Sequence, residues 1–179
     1  KNIFNLCSNY KIKKIFFSSS SEVYGEPVTI PQNEDTTPLN SRIPYAIVKN
    51  VGESFCKTFL KEKNLKYTIF RFFNTYGKKQ TEDFVISKFI KQAKKNNNIT
   101  IYGNGFQKRT FCFIDDNIDA TIKCFQKNLF INQVVNIGND NEISMLKLAK
   151  IIKKILTSKS KIVHLKPLKE GDMLRRKPD

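Results

Sequence analysis

Short runs rich in Ile, Val and Phe alternate along this chain with longer segments whose apolar residues recur three and four positions apart, and that alternation restricts the fold more than any other feature. Strands separated by helices pair in parallel, because each helical crossover returns the chain to the same end of the sheet. Residues 12–17 read as a buried strand that stops at a serine cluster. Residues 45–63 read as a helix, with Val48, Val51, Phe55, Phe59 and Leu60 at helical spacing and Pro44 as the start signal. A second strand is expected at 67–73, a helix at 84–95, a short strand at 99–102 closed by the turn Gly103-Asn104-Gly105, and a helix at 115–126. Residues 134–138 then read as a strand, 144–156 as a helix capped by Ser144, and 162–165 as the last strand. The fold class is therefore α/β, built on a parallel sheet.

At 179 residues, 40% of them hydrophobic and 12% aromatic, the chain can bury a core, which excludes a disordered segment. A net charge of +16 invites a nucleic-acid partner. Its distribution argues against one. The positive charge is nearly all lysine spread along the chain, and only Arg42, Arg71, Arg109, Arg175 and Arg176 supply the guanidinium groups that phosphate and base readout favour. No apolar run approaches the roughly 18 residues of a membrane span, and the first residues lack a signal-peptide pattern, so a cytoplasmic protein without membrane contact is expected. Cys7, Cys56, Cys112 and Cys124 show no CxxC spacing and sit in apolar surroundings, which predicts reduced, packed thiols and no metal site. His164, the only histidine, falls within a strand pattern and reads as a packed or edge residue.

Two segments carry chemistry. Phe16-Phe17-Ser18-Ser19-Ser20-Ser21-Glu22-Val23-Tyr24-Gly25 ends an apolar strand in a hydroxyl cluster, and Pro44-Tyr45-Ala46-Ile47-Val48-Lys49 opens the following helix. Tyr45 and Lys49 lie one helical turn apart on the same face, so the ammonium sits near the phenol and favours its phenolate. Tyr10 and Lys14 have the same spacing, but that pair runs into a strand, where four residues span roughly 13 Å. A tyrosine base beside a lysine, together with a serine hydroxyl, suits the removal of a proton from a substrate hydroxyl.

These segments, with Arg71-Phe72-Phe73-Asn74-Thr75-Tyr76-Gly77, Ile101-Tyr102-Gly103-Asn104-Gly105, Arg109, Asp115-Asp116 and Asn136-Ile137-Gly138, resemble the extended short-chain dehydrogenase/reductases, the NAD-dependent nucleotide-sugar epimerases, dehydratases and decarboxylases. The resemblance runs over nearly the whole chain and keeps the family's order and spacing. It implies a Rossmann-like parallel sheet, incomplete and represented by its C-terminal half, with a smaller α/β substrate-binding domain. Residues 1–77 would belong to the NAD-binding domain and 78–179 mainly to the substrate-binding domain, with 134–138 returning as a strand of the Rossmann sheet. The Gly-rich turn that opens such a sheet and holds the cofactor's pyrophosphate is not found in the chain. The expectation is thus of a piece lacking the N-terminal half of that domain and some C-terminal residues, inactive by itself.

Carried over by position, the resemblance gives Ser20 a hydrogen bond to the sugar O4 and makes Tyr45 the base. It gives Lys49 the nicotinamide ribose and the tuning of Tyr45, with Ser18 joining Tyr45 and Lys49 on the cofactor side. Asn74 is assigned to the substrate diphosphate region and Arg109 to the diphosphate itself, where a guanidinium suits phosphate geometry. An ion pair of Arg109 with Asp115 or Asp116 is the plain alternative. Glu22 resembles the carboxylate of the dehydratases and UDP-glucuronate decarboxylases, and the ending Gly171-Asp172-Met173-Leu174-Arg175-Arg176-Lys177-Pro178-Asp179 is similar to that of the decarboxylases, with Arg176 as the substrate-facing arginine. Thr37-Pro38-Leu39-Asn40 before Pro44 is closer to the 4-epimerases, and Lys169 departs from the arginine many of them carry. The expected function is oxidation of a nucleotide sugar, a UDP-sugar by resemblance, at C4 to a 4-keto intermediate, leaning to a UDP-glucuronate decarboxylase or dehydratase, with a 4-epimerase as the alternative. A homodimer through the 45–63 helix is expected too. The reading from another class is a basic module that binds nucleotides or nucleic acid without catalysis, and the intact Ser20, Tyr45 and Lys49 speak against it.

Overall fold

A computed structural model describes residues 2–168 and 174–179, and of Ser8 the backbone alone. In chain order it forms α1 (Asn2–Asn9), β1 (Lys14–Ser20), a 3-10 turn (Ser21–Tyr24), α2 (Pro44–Phe55) continued by a π-helical turn (Cys56–Leu60), β2 (Lys66–Phe72) and β3 (Thr75–Tyr76). There follow α3 (Val85–Lys94), β4 (Ile99–Tyr102), β5 (Lys108–Thr110), β6 (Cys112–Phe113) and α4 (Ile114–Gln126). The chain closes with β7 (Gln133–Ile137), β8 (Glu142–Ser144), α5 (Met145–Ile155), β9 (Ile162–Leu165) and β10 (Arg175–Arg176). Lys169 and the Gly171-Asp172-Met173 part of the ending discussed above lie outside the described residues.

One sheet has the order β1-β2-β7 and is parallel throughout, with Ser20 opposite Phe72 and Phe72 opposite Ile137 at its C-terminal end. Tyr67 to Arg71 are buried without a break, as expected for a parallel strand covered on both faces. Side chains alternate across the sheet. Ile15, Phe17, Tyr67 and Ile69 pack with Phe4, Cys56 and Leu60, whereas Phe16 and Phe72 pack with Phe70, Cys124 and Ile137. Each large apolar side chain so buried contributes about 1.5–3 kcal/mol.

A second body of packing joins α3, β4 and α5 around Phe89, Ile99, Ile101, Leu148, Ala149 and Ile152. There β4 pairs in parallel with β9, and His164 sits on β9 with its Nδ1 2.8 Å from the Gly103 carbonyl oxygen. Ser144 caps α5 as expected, its Oγ accepting from the Lys147 amide at 3.2 Å. β5 lies between antiparallel β8 and parallel β10, and Arg175 on β10 forms an ion pair with Glu142 on β8. The end of the chain then crosses to the loop after the 3-10 turn, where the Gln32 amide donates to the Lys177 carbonyl at 2.8 Å and the Asp179 amide to the Gln32 carbonyl at 3.0 Å.

Two of the expected elements differ from the sequence reading by more than one residue. β1 runs through Ser18, Ser19 and Ser20 instead of stopping at Phe17, because the ladder to Phe70, Arg71 and Phe72 satisfies the backbone and the buried Ser19 hydroxyl has a carboxylate to bond. The 45–63 helix is not uniform, since its α-helical part ends at Phe55 and a π-helical turn follows. Among the described residues no helix is long and apolar enough to cross a membrane.

Gly52 brings α2 onto β1. A Cβ there would lie 2.2 Å from Phe17 Cζ, so the ring would have to move. At an exposed helix position Gly→Ala gains up to about 1 kcal/mol. Gly52→Ala is expected instead to cost about 1–3 kcal/mol through overpacking, read as a loss of urea unfolding free energy.

Candidate active site

The site forms where the parallel sheet ends. Ser20 closes β1 in an extended conformation, and its Oγ accepts from the Glu22 amide at 3.2 Å, capping the 3-10 turn. That turn swings Glu22 back over the strand end, where its Oε1 accepts from Arg176 Nη1 at 2.7 Å. The Arg176 side chain is only 4% exposed and that of Glu22 29%, so the pair forms part of an interior wall. Pro44 fixes the first turn of α2, which presents Tyr45 at the cavity with 54% exposure. One turn on, Lys49 Nζ donates to the Ser18 carbonyl oxygen at 2.7 Å and lies 5.6 Å from the centroid of the Tyr45 ring.

Ser18, Ser20, Glu22, Tyr45, Asn74 and Arg176 all line one cavity of about 1440 Å³. Arg109 is not among its lining residues. It borders a second cavity of about 210 Å³, with Lys88, Tyr102 and Phe111, and Asn74 lines both. Arg109 Nη1 donates to the Lys108 carbonyl at 2.8 Å, and Asn74 Nδ2 to the Thr110 carbonyl at 3.1 Å.

Beneath the first cavity lies a buried polar network that the sequence reading did not assign. Arg71, 1% exposed, forks onto Glu53, with Nε donating to Oε1 at 3.0 Å and Nη2 to Oε2 at 2.7 Å. The Ser19 hydroxyl donates to Glu53 Oε1 at 2.6 Å. Arg71 Nη1 donates to the Tyr24 hydroxyl at 2.9 Å, which in turn donates to Asn136 Oδ1 at 2.8 Å. Asn136 Nδ2 donates to the Gln32 carbonyl at 2.8 Å. Two signals were present in the sequence: an arginine inside an otherwise apolar strand, and a glutamate one turn beyond Lys49 on the same helix face.

Burial works against the Arg71 charge, but the hydrogen bonds and charge of Glu53 outweigh it and move the guanidinium's pKa up. Burial also raises the Tyr24 phenol, partly offset by Arg71. Next to Glu53, the Cys56 thiol is pushed up to about 12, first by burial and then by the Glu53 charge.

Comparison with known proteins matches residues 1–138 to the NAD dependent epimerase/dehydratase family. The chain belongs to this family. Among curated relatives, UDP-glucuronic acid decarboxylase 1 of Danio rerio is 35% identical over 93% of this chain and 40% of its own length. A putative UDP-glucose 4-epimerase of Methanocaldococcus jannaschii is 36% identical over 97% of this chain and 57% of its own. Among solved structures, the UDP-glucose 4-epimerase of Thermotoga maritima with UDP-glucose superposes with a TM-score of 0.92 at 29% identity, covering 99% of this chain and 58% of that one. The chain thus spans between two fifths and three fifths of the length of these epimerase/dehydratase relatives.

The cofactor that names the family can be tested against the residues present. The cavity exceeds the roughly 300–1,000 Å³ of a site for one small ligand, which leaves room for a substrate and part of a cofactor together. An ammonium tied to the Ser18 carbonyl beside the Tyr45 ring fits a ribose with its hydroxyls. The described residues fit that end of the dinucleotide, and among them no Gly-rich turn supplies a pyrophosphate cradle.

The raised thiol has a consequence for stability. From about pH 9 upward the unfolded chain loses the Cys56 proton while the folded chain keeps it until about 12, so the fold binds more protons and its stability falls as pH rises. Urea unfolding at pH 7, 9 and 10.5 should show that decline, and Cys56→Ala should flatten it.

Proposed function

We propose that this chain carries the catalytic and sugar-binding part of an NAD-dependent enzyme that oxidises a nucleotide sugar at C4, and that its substrate is a UDP-sugar. The observation that supports the reading most is the shared cavity: Ser20, Glu22, Tyr45, Asn74 and Arg176 line it together, and Lys49 is tied to its wall through Ser18. In this reading residues 1–77 with 134–138 form the NAD-binding unit and 78–179 mainly the substrate unit.

Tyr45, as phenolate, takes the proton of the C4 hydroxyl, while the Ser20 hydroxyl hydrogen-bonds O4 and orients it. Lys49 stands one turn along α2 beside the Tyr45 ring and, with Ser18 and Tyr45, holds the ribose of the cofactor. NAD, when bound, supplies the acceptor for the C4 hydrogen. Asn74 lies between the two cavities, and Arg109 borders the smaller one, which suits a diphosphate reaching from the sugar toward the nucleotide.

The final step is read from Glu22 and Arg176. A guanidinium and a carboxylate at one wall of the sugar cavity suit a uronate, with Arg176 binding the sugar carboxylate before it leaves as CO₂ and Glu22 exchanging protons with the 4-keto sugar. This favours a UDP-glucuronate decarboxylase or dehydratase. A 4-epimerase is the second reading, favoured by the segment Thr37-Pro38-Leu39-Asn40 and by the Methanocaldococcus jannaschii relative.

Exposed Ile47, Val48 and Val51 on α2 suit a homodimer through that helix. The four free cysteines suit a reducing compartment such as the cytoplasm.

The full-length protein that carries this chain, incubated with NAD⁺ and a panel of UDP-sugars, with products read by proton NMR, tests the proposal. A UDP-pentose from UDP-glucuronate is the expected result, C4 inversion of a hexose would support the second reading, and no conversion of any sugar would contradict both. Tyr45→Phe should lower kcat by about 10²–10⁴-fold while nucleotide-sugar binding persists.

A further inference from the structure

We propose that Arg71 and Glu53 are positioning residues: their buried ion pair, with Ser19 and Tyr24 bonded to it, holds the strand end carrying Ser20 in register with the helix face carrying Tyr45 and Lys49. This rests on the reading of the site given above.

The pair joins β2 to α2, and Ser19 brings β1 onto the same carboxylate, beside the direct bond from Lys49 on α2 to the Ser18 carbonyl on β1. Ser19 precedes Ser20 on β1; both border the cavity, and the Ser19 hydroxyl turns into the network to donate to Glu53. Glu53 lies one helical turn beyond Lys49 and two beyond Tyr45, so anchoring its carboxylate fixes the rotation of α2 about its own axis. Arg71 stands on β2 directly opposite Ser19 in the ladder, which places the guanidinium beneath the strand end. Tyr24 closes the 3-10 turn that aims Glu22 and receives the third arm of the Arg71 fork at 2.9 Å.

Chemistry favours positioning over simple cohesion. A buried ion pair gains little net stability over well-packed apolar residues, because desolvation of both charges offsets their attraction. What the fork adds is direction: two parallel N–H···O bonds, at 3.0 and 2.7 Å, resist rotation and sliding that an apolar contact would allow. A lysine at position 71 would keep the charge and lose that fork. Neither residue lines the cavity, so neither touches the substrate.

The test uses Arg71→Lys and Ser19→Ala in the full-length protein that carries this chain, each assayed at a temperature where circular dichroism reports it folded. Arg71→Lys should lower kcat about tenfold or more and Ser19→Ala about threefold, with KM for the nucleotide sugar within about twofold, as expected when reacting groups are displaced but not removed. Crystal structures of both variants should show the Tyr45 hydroxyl displaced relative to the Ser20 hydroxyl. A parental kcat in the folded variants, with only the melting temperature lowered, would overturn the proposal. So would a raised KM with kcat unchanged. Ser19→Ala removes a single hydroxyl and decides the matter alone if Arg71→Lys does not fold. If the parent converts no nucleotide sugar, the reading of the site fails, and the two crystal structures still decide this inference: an unchanged Ser20 and Tyr45 geometry in both would overturn it.

Discussion

An arginine near the end of a buried strand has to be answered by a carboxylate, and in this chain that requirement organises the end of the sheet. Arg71 and Glu53 are 1% and 2% exposed at their side chains, and each would be costly alone. Meeting that cost brings α2 against β1 and β2 in one rotational setting. The Ser19 hydroxyl and Tyr24 phenol complete the bonding, so the strand end and the turn after it are fixed by the same two charges. Gly52 lets the helix come close enough, its missing side chain leaving room for the Phe17 ring.

From that junction the remainder of the site follows by connectivity. Parallel sheets place their ligand crevices beyond the C-terminal ends of their strands. Here Ser20 ends β1, Asn74 follows β2, and Asn136 near the end of β7 ties the loop bearing Gln32 and Glu34 to the sheet. Gln32 pairs with the last residues of the chain, and this brings Arg176 to Glu22 across 154 positions of sequence. The cavity wall therefore depends on contacts between the first and last thirds of the chain.

What could be read in the sequence divides along physical lines. β2 was legible because an apolar run buried on both faces is recognisable without partners, β7 because Val134, Val135 and Ile137 form a short apolar run, and α5 because Ser144 caps an evenly spaced apolar stripe. The serines of β1 read as a loop because hydroxyl residues favour turns, and only the ladder to β2 and the Glu53 carboxylate explain why they remain extended. β5, β8 and β10 span two or three residues, too few to show a period. Ser20, Tyr45, Lys49, Glu22 and Arg176 were each visible as chemistry. The pairing of the last two was not, nor was that of Glu53 with Arg71 at a separation of 18, because a single chain carries no mark of which distant charges meet. Arg109 was visible too, but its position at the smaller cavity depends on how β5 packs beside α3 and β4, which local pattern does not determine.

The most direct check of this account is a double-mutant cycle on unfolding free energy, using Glu53→Gln, Arg71→Met and the combined variant in urea. Each single change leaves one buried charge without its partner and should cost about 3–5 kcal/mol, and the double change should cost at least about 2 kcal/mol less than the sum. Costs that add to within about 0.5 kcal/mol would mean that the two residues act independently, and the junction described here would not be what holds the site together.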